Sequence, residues 1–80
     1  MQEFHMQITT FKQVQEFVRL AAQQPFEIRV SNDHQRINGK DLMGMFSLDY
    51  TRPLCVSAEC PQELFADFRI AAQEQVPILA

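Results

Sequence analysis

Basic residues are scarce: seven Lys and Arg stand against ten Asp and Glu, leaving a formal net charge of −3. Such a chain has no positive field to hold a polyanion, which excludes general nucleic-acid binding. Glycine occurs only twice, so there is neither a Gly-rich loop to cradle phosphates nor a flexible linker between domains. The two cysteines, Cys55 and Cys60, are too few for a disulfide framework. No second Cys or His pair supplies structural-zinc spacing, so no metal and no cofactor is expected. Long apolar runs are missing as well. The longest, residues 42–46 with Gly44 inside it, falls far short of the ~20 residues a spanning helix needs. The first residues, with Gln2, Glu3 and His5, do not read as a signal segment, and the expected location is cytoplasmic with no membrane partner. Paired carboxylates and a nucleophile–base–oxyanion set are also absent, which makes an independent enzyme the weakest reading.

What is present is enough for one core. The chain has 80 residues, of which 46% are hydrophobic, and this length suits a single domain over 1–80. Across residues 3–8, Phe4, Met6 and Ile8 alternate with Glu3, His5 and Gln7, the period of a half-buried strand. Phe11, Val14, Phe17, Val18 and Ala21 then recur at helical spacing, and Pro25 closes that helix because the residue before a proline is pushed out of the helical region. Phe26, Ile28 and Val30 resume the alternation, and Ser31, Asn32 and Asp33 turn the chain back into a brief strand over about 35–38. Asp41 is expected to cap a short helix running to about Leu48. A fourth strand over 52–59 follows, with Pro53 near its start. The last helix is expected to start with Pro61 as its first residue and to carry Leu64, Phe65, Phe68, Ala71 and Ala72 on one stripe. Residues 76–80, with Pro77, read as a loose tail. The order β-α-β-β-α-β-α predicts an α+β, two-layer fold with its helices on one face of a small sheet.

The most informative segment runs N-G-K-D-L-M-G-M-F-S-L over residues 38–48. It resembles the HPr family, phosphocarrier proteins of the bacterial sugar phosphotransferase system, which usually carry N-x-K-S-[IL]-M-G-x-[ML]-S-L here. With the element order, the likeness extends over about residues 3–73. It implies an open-faced β-sandwich, a four-stranded antiparallel sheet covered by three helices. It also implies a role in passing phosphate between enzyme I and sugar-specific partners, or in regulating them.

The family's acceptor histidine lies in G-x-H-A-R-P at the start of the first helix, and that motif is missing. Counting back from the matched segment puts Thr10 nearest the histidine and Lys12 nearest the arginine. A phosphoryl carrier needs a nucleophile that is deprotonated at neutral pH and forms a labile bond. Imidazole, with its pKa near ~6.5, meets both demands. A threonine hydroxyl needs a general base and yields a stable ester. Thr10-Phe11-Lys12-Gln13 also fits the S/T-x-x-E/Q capping box, so Thr10 reads first as a cap. His5 falls in the first strand and His34 in the hairpin turn, and both read as surface histidines.

Asp41 stands where many family members have a regulatory serine. It reads as a helix cap and also as a standing negative charge, −1 against roughly −1.5 to −2 for phosphoserine. In the short helix, Leu42, Met43 and Phe46 fall in one cluster while Met45 and Leu48 fall in another. One cluster suffices for the core, so the other is expected to be an exposed apolar patch. By resemblance, Leu42, Met43 and Phe46 match the positions that dock HPr onto enzyme I and regulatory partners. Lys40 and Arg52 read as solvated charges. Cys60 is expected at the N-cap of the last helix, before Pro61, where the helix field lowers a thiol pKa, and Cys55 on a strand. The two read as free thiols.

These features favour a non-phosphorylatable binding or regulatory module that acts on a protein partner through its second helix. The alternative is a phosphocarrier using His5, His34 or Thr10 as acceptor.

Overall fold

The computed structural model describes residues 1–79. Its elements are β1 (Gln2–Met6), α1 (Phe11–Ala22), β2 (Arg29–Ser31), β3 (Arg36–Asn38), α2 (Leu42–Phe46), β4 (Leu54–Ala58), α3 (Gln62–Gln73) and β5 (Ile78–Leu79). The five strands form one antiparallel sheet in the order β3-β2-β4-β1-β5. This is the expected α+β architecture, with one strand more than the four anticipated.

That strand corrects the reading of 76–80 as a loose tail; Ala80 lies outside the described residues. Val76 is buried, the Gln7 N–H donates to the Pro77 carbonyl at 3.0 Å, and Ile78 and Leu79 pair with Met6 and His5. Pro77 sits just ahead of the paired residues, where its missing N–H withholds nothing from the ladder.

The register explains the two faces of the sheet. Phe4 opposes Val56, and Met6 opposes Leu54, while Val30 opposes Val56 from the other side. All five are buried. Because successive side chains alternate, Glu3, His5, Cys55 and Arg29 point to the uncovered face. The helices cover the other face with Val14, Phe17, Val18 and Ala21 from α1, Met45 from α2, and Phe65, Phe68 and Ala72 from α3. Phe68 is the aromatic centre of this core. Its ring lies 5.8 to 6.3 Å from those of Phe4, Phe17, Phe26 and Phe65, in tilted and edge-on arrangements that suit the ring quadrupoles.

Several boundaries move for local reasons. Thr10 caps α1 as expected, with a complete capping box. Pro61, in extended conformation, is the N-cap of α3 rather than its first residue, so Cys60 lies one place before the cap. In α3 the stripe narrows: Phe65, Phe68 and Ala72 are buried while Leu64 is exposed and Ala71 half-buried. Phe26 and Ile28 pack on the core without joining β2. The Ile28 carbonyl instead accepts the Gly39 N–H at 2.7 Å. Here glycine permits a close approach, since a Cβ on residue 39 would sit 2.8 Å from Ile28 Cγ2. Gly44 does the same for α2, where a Cβ would meet Ile37 Cγ2 at 2.8 Å.

Candidate functional site

Helix α2 is only five residues long, so its placement depends on its neighbours rather than on its own hydrogen bonds. Met45 and Leu48 face the core with 0% and 6% exposure, whereas Leu42, Met43 and Phe46 are 36%, 77% and 38% exposed. The i, i+1, i+4 spacing in the sequence separates the same two clusters. At the far end of α2 the Tyr50 phenol donates to the Met45 carbonyl, and the Gln7 amide donates to the Tyr50 carbonyl at 3.1 Å. Burial pushes the Tyr50 phenol up to about 12, so Tyr50 keeps its proton as a donor at neutral pH.

The patch extends beyond α2. Phe11, expected in the core stripe of α1, is instead 60% exposed and stacks on Phe46, with centroids 4.7 Å apart and planes 16° from parallel. Phe11 is the first residue of α1, and helical side chains lean toward the N-terminus. There is no earlier turn for it to cover, so the ring passes the edge of the core and meets α2. Periodicity along one helix carries no sign of a contact with a second, which is why the sequence hides this pairing. Ile8, Thr10, Phe11, Val14, Phe46 and Tyr50 line a cleft of about 270 Å³ between the two helices.

The start of α1 is closed on itself. The Thr10 hydroxyl accepts the Gln13 N–H at 3.2 Å. In return Gln13 Oε1 accepts the Thr9 N–H at 2.8 Å, the Thr10 N–H at 3.3 Å and the Thr9 hydroxyl at 3.3 Å. The Thr9 and Thr10 N–H groups just ahead of the helix are therefore engaged by an internal amide, and the Gln13 N–H by the Thr10 hydroxyl. Lys12 is exposed in the first turn, which contains no acidic residue. Glu16, one turn further on, is held by Arg19 at 2.7 Å.

Neither histidine lies at this end of α1. His5 is in β1, opposite Cys55 and Leu79 on the uncovered face. His34 is in the β2–β3 turn, its backbone N–H donating to Asn32 Oδ1 at 2.8 Å.

Asp41 occupies the N-cap position of α2, but its side chain makes no capping hydrogen bond, contrary to the expectation. The Asn38 side chain arranges this turn instead, accepting the Lys40 N–H at 2.9 Å, while the Asp41 N–H donates to the Asn38 carbonyl at 3.0 Å. The Asp41 carboxylate is left exposed. Lys40 is not the solvated charge expected of it: its ammonium donates to the Gln24 carbonyl at 2.7 Å. Arg52 reaches Asp33 at 3.5 Å across the surface, a pair of small energetic weight.

Cys55 and Cys60 are both free thiols. Burial raises the Cys60 thiol rather than the helix field lowering it. Burial also raises Cys55, helped by the neighbouring Glu3 carboxylate, which accepts the Cys55 S–H at 3.7 Å. Among the described residues no group of three His, Cys, Asp or Glu side chains is placed to hold a metal, and no helix is long and apolar enough to cross a membrane.

No protein-family model matches the sequence, and no curated protein matches it. Solved structures do match. HPr-C-His from Thermoanaerobacter tengcongensis superposes with a TM-score of 0.74 at 23% identity, covering 94% of each chain. The phosphocarrier protein HPr from Bacillus anthracis str. Ames gives 0.67 at 16% identity, over 88% of this chain and 94% of that one. Crh, the catabolite repression protein of Bacillus subtilis that forms an intertwined, domain-swapped dimer, gives 0.63 at 21% identity, over 89% and 86%. The chain has the HPr-like fold.

Proposed function

We propose that this HPr-like protein is a binding or regulatory module that engages a protein partner through Leu42, Met43 and Phe46 and carries no phosphoryl group. One observation carries the second half of that reading. Where Thr10 stands nearest the family's acceptor there is no imidazole: the Thr10 hydroxyl accepts the Gln13 N–H as a cap, and Gln13 Oε1 in return takes the Thr9 and Thr10 N–H groups. The first half is supported by the exposure of three apolar side chains on a helix whose other apolar residues suffice for the core. Methionine at the centre of the patch suits a surface that repacks against a partner. Asp41, free of any capping bond, adds a fixed negative charge at the regulatory-serine position. The partners that fit best are phosphotransferase-system enzymes or a regulator that recognises the HPr-like surface.

Incubation with phosphoenolpyruvate and enzyme I, followed by intact-mass measurement, tests the carrier question. The expected result is an unchanged mass; an added phosphoryl group, acid-labile if on His5 or His34 and acid-stable if on Thr10, would establish the carrier reading instead. Titration of enzyme I or a purified regulator with wild type, Met43→Glu and Phe46→Glu tests the docking face. Binding is expected to be lost in both variants with the fold retained.

A further inference from the structure

The sheet face turned away from the helices is uncovered, and its side chains are sorted by charge. Alternation and register align one row of Glu3, Ser57 and Arg29 across it, and a second of His5, Cys55 and Ser31. Arg36 on β3 extends the second row. The central strand, β4, offers only the small, half-buried Cys55 and Ser57, while Glu3 on one flank and Arg29 and Arg36 on the other are exposed. Among the described residues the ion pairs are Glu16–Arg19 and Asp33–Arg52, so none of these three charges is neutralised within the chain. An uncharged centre between charged flanks is the layout of a protein interface, where charged residues are depleted at the core of the patch.

We infer that this face binds a second copy of the chain, face to face, about a twofold axis running along β4 between the two sheets. Such an axis lays β1 of each copy over β2 of the other. Glu3 then meets the partner's Arg29 and Arg29 the partner's Glu3, while Cys55 faces the partner's Cys55 near the axis. A twofold contact demands this self-complementarity, because every pair in it occurs twice. Stacked sheets keep their strands within about 30° of each other, a tilt that long Glu and Arg side chains absorb. A partner of one charge sign would meet a like charge on one flank, which disfavours it. Glu59 follows the last residue of β4 and so lies outside the paired rows. Five strands at about 4.8 Å and five residues at about 3.3 Å give a face of roughly 24 by 17 Å. That is small beside the ~800 Å² each partner of a stable complex buries, so the dimer is weak and reversible. Because α2 lies on the covered side of the sheet, the dimer leaves it free and does not depend on the docking proposed above.

Sedimentation equilibrium of wild type, Glu3→Arg and Arg29→Glu at rising concentration tests this, with circular dichroism confirming that each variant is folded. Wild type is expected to form a concentration-dependent dimer, and each charge reversal to weaken it at least about tenfold. An equimolar mixture of the two variants, in which every charge again meets its opposite, should dimerise at least as well as wild type. Cross-linking with a short bismaleimide reads the orientation. Cys60→Ser, which keeps Cys55, should be captured as a covalent dimer, and Cys55→Ser should not. A monomer at every concentration, a dimer indifferent to either reversal, a mixture no tighter than its components, or a cross-link through Cys60 alone would each overturn the inference. So would a dimer that Met43→Glu dissociates and the reversals do not, because the second copy would then sit on α2.

Discussion

The ring of Phe11 lies against the ring of Phe46 at 4.7 Å, joining the first residue of α1 to the last residue of α2. Each residue leaves more than a third of its surface in water, so the stack shapes a surface more than it builds a core. An aromatic pair of this kind adds about 0.5–1.5 kcal/mol beyond its buried area. That is enough to hold a five-residue helix at a fixed angle without making either ring indispensable to folding.

Phe68 is the opposite case. It is 1% exposed among four other phenylalanine rings, and Phe68→Ala should cost about 3–5 kcal/mol. A domain of this length holds only about 4–12 kcal/mol in total, so the variant should be partly or wholly unfolded. Urea denaturation followed by circular dichroism checks this, with Phe11→Ala as the mild comparison.

Gly44→Ala should destabilise despite alanine being the better helix former. The new Cβ would meet Ile37 Cγ2 and Asp41 Oδ2, each at 2.8 Å. Asp41 can swing away, but Ile37 is β-branched and held in β3. Overpacking of about 1–3 kcal/mol exceeds the ~1 kcal/mol gained in helix propensity. A lowered urea midpoint, with chemical-shift changes centred on α2 and β3, is the expected outcome.

Thr10→Ala removes the α1 cap and should cost about 0.5–2 kcal/mol, whereas Thr10→Ser should be close to neutral. Because Gln13 answers Thr10 reciprocally, Thr10→Ala and Gln13→Ala should be less than additive when combined. A double-mutant cycle in urea measures the coupling.

Tyr50 sets a pH limit. Its phenol ionises at 10.0 in an open chain and is pushed up to about 12 by burial in the fold. The unfolded chain therefore gives up this proton first and binds fewer protons between those values, so stability falls as pH rises. The contribution is complete below pH 10 and is lost as pH climbs through about 12. The observable is the difference between wild type and Tyr50→Phe. That difference should shrink above pH 10, and a constant offset would contradict it.

Patterns confined to one element are legible in the sequence. Alternation marks β1 and β4, the Thr10–Gln13 spacing marks the cap, and the split of α2 into Met45 and Leu48 against Leu42, Met43 and Phe46 follows from helical spacing. What stayed hidden depends on distant partners. Two residues have no period, so Ile78 and Leu79 become a strand only because Met6 and His5 lie beside them. Phe11 belongs to the α1 stripe by spacing, but its place at the helix start sends it to α2. Asp41 is a favoured capping residue in the right position, yet the turn set by Asn38 leaves its carboxylate outward.

Pairing of Ile78 and Leu79 with Met6 and His5 closes the outer margin of β1 over its last two residues, while β4 borders the strand along its whole length on the other side. Peeling away that short closing strip would bare a row of amide and carbonyl groups beside an exposed histidine, the kind of template on which chains stack edge to edge. Ile78 and Leu79 thus mask part of such a template.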